Sequence, residues 1–149
     1  MSLEEQINND IKEAMKAKDQ AWLRGVRAVK AAILIAKTDG SGSAMDSDRE
    51  IKLLQKLVKQ RQDSLAIYEA QNRPDLATVE KEEIEVIQRY LPKQMTAEEI
   101  ETIVSSLIKE NNAAGIKDMG KVMGLASKAL AGKADGKTIA EIVKKLLTA

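Results

Sequence analysis

The sequence predicts an all-α protein of two helical bundles, four helices followed by three, and three observations carry that expectation. Ala, Glu, Lys, Leu, Ile and Gln dominate the composition, most of them strong helix formers. Apolar residues recur every three or four positions along nearly the whole chain, the spacing of one helical face. Both prolines, Pro74 and Pro92, stand at segment edges rather than inside the periodic stretches.

The elements follow in order. Ser2 is a natural N-cap for a first helix carrying Leu3, Ile7, Ile11, Ala14 and Met15 on one face. Asp19 caps a second, striped by Trp22, Val26, Val29, Ile33 and Ala36, and Asp39-Gly40-Ser41-Gly42-Ser43 ends it as a flexible loop. Ser47 with Glu50 three residues on forms a capping box, opening a third helix through Ile51, Leu54, Leu57, Val58, Leu65 and Tyr68. Asn72-Arg73-Pro74 is the next turn. Asn tolerates a left-handed C′ position, and Pro suits the first position of a fourth helix carrying Leu76, Val79, Ile84, Ile87 and Tyr90.

Pro92 lacks an N–H and pushes Leu91 out of the α region, so the chain should break at Leu91-Pro92-Lys93. The expected domains are therefore residues 1–92 and 93–149. Thr96 with Glu99 is a second capping box, and Ile100, Ile103, Val104, Leu107 and Ile108 face the core of a fifth helix that ends between Asn111 and Gly115. Asp118 is placed to cap a sixth, with Met119, Val122, Met123, Ala126 and Leu130 inward and Gly132 as its C′ residue. Asp135 caps a seventh, striped by Ile139, Ile142, Val143 and Leu146, which completes a three-helix bundle.

Composition excludes much chemistry. At 149 residues, folding should bury about 68–70% of the unfolded surface, enough for a core without disulfides or structural metal. Histidine and cysteine are absent, which removes imidazole and thiolate ligands, thiol nucleophiles, disulfides and the histidine general base. No metal and no cofactor are expected. The acidic start Met1-Ser2-Leu3-Glu4-Glu5 lacks a signal peptide's apolar region, and no apolar run approaches the ~20 residues of a membrane span. With the zero cysteine count, the expectation is a cytoplasmic protein that does not engage membranes. Charge is nearly balanced at 24 Lys+Arg against 23 Asp+Glu, yet residues 117–149 hold seven basic and three acidic side chains.

Three motifs invite a catalytic reading and fail it. Gly132-Lys133-Ala134-Asp135-Gly136-Lys137-Thr138 ends like a phosphate-binding P-loop. It has three residues between its glycines where four are needed to wrap phosphates, and a helix precedes it where a buried strand should. Glu80, Glu82, Glu83 and Glu85 suggest a carboxylate metal site, but with Ile84 and Ile87 inward, Glu82 and Glu85 turn away from the core, where Lys52, Lys56 and Lys59 offer solvated partners. Ser64, Ser105 and Ser127 lack both a nucleophile-elbow setting and a base, and adjacent Ser127 and Lys128 point in different directions on a helix. Gly120 and Gly124, four apart, are read as permitting close helix packing.

The basic segment has a definite geometry. If Val122 and Ala126 face inward, the 3.6-residue period puts Lys121 and Lys128 together on the opposite face. Lys117 sits just before that helix, and Lys133 and Lys137 flank the following turn. Free N–H groups near Gly136 would add to an anion site, while Asp135 would cap the same donors and repel a phosphate. Trp22, Tyr68 and Tyr90 lie outside the segment and supply no stacking platform.

Taken together, these motifs make the chain similar to the stand-alone GatB/YqeY-domain proteins, small bacterial relatives of the GatB tail of the tRNA-dependent Asp/Glu amidotransferase. The resemblance is carried by Val26-Arg27-Ala28-Val29-Lys30-Ala31-Ala32-Ile33, Arg73-Pro74-Asp75-Leu76-Ala77, Tyr90-Leu91-Pro92, Lys117-Asp118-Met119-Gly120-Lys121-Val122-Met123 and Ala134-Asp135-Gly136-Lys137. Asn72, where the family often has Gly, and Tyr68, where Phe is common, depart from it. The resemblance implies the same four-plus-three helical plan and a link to tRNA. In the amidotransferase the tail engages tRNA while the chemistry occurs elsewhere, so glutamine-dependent carbon-nitrogen ligase activity would belong to the complex. It carries a tRNA-facing role onto the Lys117–Met123 and Ala134–Lys137 motifs alone; with Lys128 and Lys133 added from the geometry of the basic segment, the expected nucleic-acid-binding residues are Lys117, Lys121, Lys128, Lys133 and Lys137, and tRNA and a translation-related protein are the expected partners. A non-catalytic tRNA-binding accessory protein is thus expected; the alternative is a helical adaptor for other proteins that does not bind nucleic acid.

Overall fold

The computed structural model describes residues 2–40 and 45–148, so Ser41, Gly42 and Ser43 of the expected loop lie outside the described residues. Seven α-helices and no strand form among the described residues. They are α1 (Leu3–Ala17), α2 (Gln20–Lys37), α3 (Ser47–Ala70), α4 (Pro74–Gln88), α5 (Ala97–Glu110), α6 (Met119–Ala129) and α7 (Gly136–Leu147).

Local chemistry sets most of these ends. Ser2 Oγ accepts from the Glu5 N–H while the Glu5 carboxylate takes the Ser2 N–H, a complete capping box. Asp19 and Asp135 accept from Trp22 N and Thr138 N, each at 3.0 Å. Pro74 occupies the first turn of α4, and Asn72 before it takes the left-handed conformation with φ 56°. Two starts differ from expectation. At α3 the cap is Asp46, whose carboxylate accepts from Arg49 N at 2.9 Å, so Ser47 is already helical; a charged carboxylate suits the positive end of the helix. At α6 the Asp118 carboxylate accepts from Ala114 N at 2.8 Å instead of capping, and Ile116–Asp118 form a short 3-10 turn ahead of the helix.

By its contacts the chain divides into two compact units, Met1–Leu91 and Pro92–Ala149. In the first, α1 packs along α2, and α4 packs against both α2 and α3, while α2 and α3 touch only over a short stretch. Ile7, Val26, Val29, Ile33, Leu54, Val86 and Ile87 are its most deeply buried large side chains. Met15 is 56% exposed because it lies about 100° around the helix from Ala14, off the Leu3–Ile7–Ala14 row. In the second unit α5, α6 and α7 pack pairwise around Ile100, Val104, Val122, Leu130 and Val143.

Polar bridges tie the first unit's helices together. Arg61 of α3 donates to Glu83 of α4 at 3.1 Å and to the Leu57 carbonyl. Arg24 of α2 bonds Glu82 and pairs with Glu83 at 3.9 Å. The four-glutamate cluster is thus engaged chiefly by arginines, and Glu85 by Arg89, rather than by Lys52, Lys56 or Lys59. Glu80 is held above the usual carboxylate range by burial and by Glu83 nearby. Tyr90 donates to Asp10 of α1; burial, and then this bond, push its phenol up to about 12.

Candidate nucleic-acid interface

Helix α6 owes its orientation to one apolar row. Val122, Ala126 and Leu130 are fully buried, and Met119 and Met123 pack at the edges. The helical period therefore turns Gly120, Lys121, Gly124, Ser127 and Lys128 to solvent, and all five are exposed. Lys121 and Lys128 are seven residues apart, two turns and about 10.5 Å along the same face.

The turn after α6 is held in place by the start of the same unit. Met95 N donates to the Lys133 carbonyl at 2.9 Å, and Gln94 Nε2 donates to the Gly132 carbonyl at 2.8 Å. Gly132 itself has φ 76°, a left-handed backbone that lets the chain reverse toward α7. Lys133 is exposed on this anchored turn, and Lys137 is exposed in the first turn of α7. Gln94 escaped sequence reasoning because its partner is a backbone carbonyl far along the chain, and no local pattern marks such a bond.

All five lysines singled out by sequence, Lys117, Lys121, Lys128, Lys133 and Lys137, are exposed. Among the described residues none of them pairs with a carboxylate within 4.0 Å, whereas Lys145 of the same unit pairs with Glu101 at 3.8 Å. Asp118 and Asp135, the acids nearest in sequence, are occupied by the Ala114 and Thr138 backbone N–H groups. Asp135 thus sits on one of the donors at the α7 start, as its capping role implied, so that helix end is not a bare anion site. The surface is positive through its lysines instead.

Gly120 and Gly124 depart from expectation. A Cβ built at either position meets nothing within 4 Å, so neither glycine serves helix packing within the fold. Because the core row is Val122–Ala126–Leu130, the glycines fall on the outward side beside the lysines.

The arrangement offers exposed cations and open backbone. In Gly132–Thr138 the chain runs from the end of α6 through a turn into α7, with no strand before it. No group of three or more carboxylates placed to hold a metal occurs among the described residues. No helix is long and apolar enough to cross a membrane, again among the described residues.

Comparison with known proteins gives a consistent set of relatives. A family model described as Yqey-like protein matches residues 4–147. The protein named "Altered inheritance of mitochondria protein 41, mitochondrial" from Lachancea thermotolerans is 35% identical over 106 residues, covering 70% of this chain and 57% of that protein. Its namesake from Meyerozyma guilliermondii is 33% identical over 144 residues, 95% of this chain and 74% of the relative. That from Pyrenophora tritici-repentis is 27% identical over 146 residues, 96% and 80%. The chain thus spans little more than half the length of the first of these. These names correct two expectations: these relatives are fungal proteins where bacterial ones were expected, and they are named mitochondrial where the expectation was cytoplasmic.

Proposed function

The chain belongs to the Yqey-like protein family, and from that membership together with the outward face of α6 we propose that it is a non-catalytic accessory protein that binds tRNA. In this reading the chain is a four-helix bundle followed by a three-helix bundle, and the second bundle carries the RNA contact. The observation that supports it most is the combination of Lys121 and Lys128, unpaired among the described residues, with Gly120 and Gly124, whose Cβ positions open onto empty space. Exposed glycines inside a helix cost roughly 0.5–1 kcal/mol each relative to Ala, and none of the described residues uses the room they leave. A sugar-phosphate backbone lying against α6 would use it, because it could approach the helix main chain while the lysines neutralise phosphates. Lys117, Lys133 and Lys137 extend the same positive surface. The chain brings no histidine or cysteine to such a site, so activation and transfer chemistry is assigned to other proteins, and the purified chain should neither hydrolyse ATP nor amidate tRNA.

Binding of total deacylated tRNA by the full chain, measured across a salt series, tests the proposal. Affinity should fall as salt rises because each neutralised phosphate releases condensed counterions. Lys121→Ala with Lys128→Ala should lower affinity and flatten that slope, while Lys52→Ala with Lys56→Ala on α3 should matter less. Folded protein without measurable tRNA affinity at low salt, or equal losses from both pairs, overturns it.

A further inference from the structure

A second surface, on the first unit, is independent of the lysine face. Because α2 and α3 touch only over a short stretch, their flanks open a groove of about 550 Å³. Ala32 and Ala36 of α2 and Leu53 and Leu57 of α3 line it. Ile35 stands on its edge, 70% exposed. Together with half-buried Leu53 and Leu57, Ile35 makes a continuous apolar strip along the groove.

Apart from the Asp39–Arg49 ion pair at one end, the charge on the rim is that of two lysines. Lys52 and Lys56, one turn apart on α3, border the groove, and neither has a carboxylate partner among the described residues. Their neighbours do pair: Lys59 with Asp63, Arg61 with Glu83 and Lys81 with Glu69. Residues 41–44 add no acid, being Ser, Gly, Ser and Ala. Like charges at i and i+4 repel along a helix, so among the described residues an uncompensated cationic pair lies beside an apolar strip. At one end Arg49 is fixed by Asp39 at 2.7 Å and by the Ala36 carbonyl, which bridges α2 to α3 where the groove closes.

We propose that this groove docks an amphipathic helix of a partner protein that carries Asp or Glu beside its apolar stripe. The lining runs from Arg49 to Gln60 on α3, about 16 Å at 1.5 Å per residue, which accommodates roughly three turns of an incoming helix. Ile35, Leu53 and Leu57 meet its apolar positions at helical spacing, and the partner's carboxylates complete Lys52 and Lys56. A helix with basic flanks is repelled by the same pair, so the rim selects as well as attracts.

The experiment uses the full chain and a display library of 18-residue amphipathic helices. Leu and Ile are fixed on one face of each helix, and Glu, Lys, Gln and Ser vary at the flanking positions. Recovered helices should be enriched in Glu over Lys, lose at least tenfold in affinity against Ile35→Asp, and lose several-fold against Lys52→Glu with Lys56→Glu. Their amide shift perturbations should cluster on residues 32–39 and 49–60. Ile35 is solvent-exposed, so its variant should keep wild-type helical content, and circular dichroism verifies that. Recovery of no helix, of helices without acidic bias, or of helices indifferent to Ile35→Asp overturns the proposal. So does concentration-dependent dimerisation abolished by Ile35→Asp, which would give the face to a second copy, or Ile35-dependent binding to anionic vesicles, which would give it to a membrane.

Discussion

Gly25 of α2 lies directly against Val86 of α4: a Cβ at position 25 would stand 2.5 Å from Val86 Cγ1 and 2.6 Å from its Cβ. Val86 is itself 2% exposed and has no room to retreat. Gly25→Ala should therefore destabilise the protein by about 1–3 kcal/mol despite alanine's better helix propensity, since overpacking outweighs propensity. Urea denaturation measures it, and adding Val86→Ala should give a double variant less destabilised than the sum of the singles.

Glu83 is the shared acid between Arg61 and Arg24, and its side chain and that of Arg61 are only 17% and 18% exposed. Replacing it with Ala leaves both guanidinium groups without that carboxylate, including the buried Arg24 Nη1, which makes no hydrogen bond among the described residues and has Glu83 at 3.9 Å as its ion-pair partner. A loss of about 1–3 kcal/mol in chemical denaturation is expected. Glu85→Ala, which removes an exposed i,i+4 pair with Arg89, should cost no more than about 0.5 kcal/mol.

Tyr90 titrates at about 12 in the folded protein against an ordinary 10.0. Its raised value means that the folded state keeps the proton where the unfolded chain releases it. The contribution to stability is complete below pH 10 and is lost as pH rises from 10 through 12. The chain has two tyrosines, so Tyr68→Phe isolates the signal: phenolate absorbance should appear at higher pH in the native protein than in denaturant, and Asp10→Asn should narrow that gap. Coincident native and denatured titrations would contradict it.

Gly120→Ala with Gly124→Ala separates folding from binding. Nothing lies within 4 Å of either new methyl, so helix α6 should gain roughly 0.5–1 kcal/mol per site. If RNA lies against this face, the same change should weaken tRNA binding while leaving the salt slope intact, because the lysines remain. Higher melting temperature with undiminished affinity would remove the glycines from the interface.

Much of the fold was legible in the residue order. Ser2, Asp19, Thr96 and Asp135 cap the helices they were expected to cap, and Pro74 opens α4. Of the candidate site, the exposure of Lys121 and Lys128 followed from the spacing of Val122 and Ala126 alone. These features depend on interactions within a turn or two of helix, where sequence separation and spatial separation are the same quantity.

What only the tertiary structure decided is which helix meets which, and at what distance. Sequence periodicity marks the face each helix buries but not the partner it is buried against. The close approach at Gly25, the arginines that hold Glu82 and Glu83, and the groove between α2 and α3 were therefore invisible in it. Gly120 and Gly124 show the same limit: a small-residue pair at helical spacing is identical in sequence whether it meets another helix or open solvent, and only the packing of α6 on its Val122 side settles the choice. The physical reason is that contacts between helices join residues far apart along the chain, and the identity of the second partner is not encoded in the neighbourhood of the first.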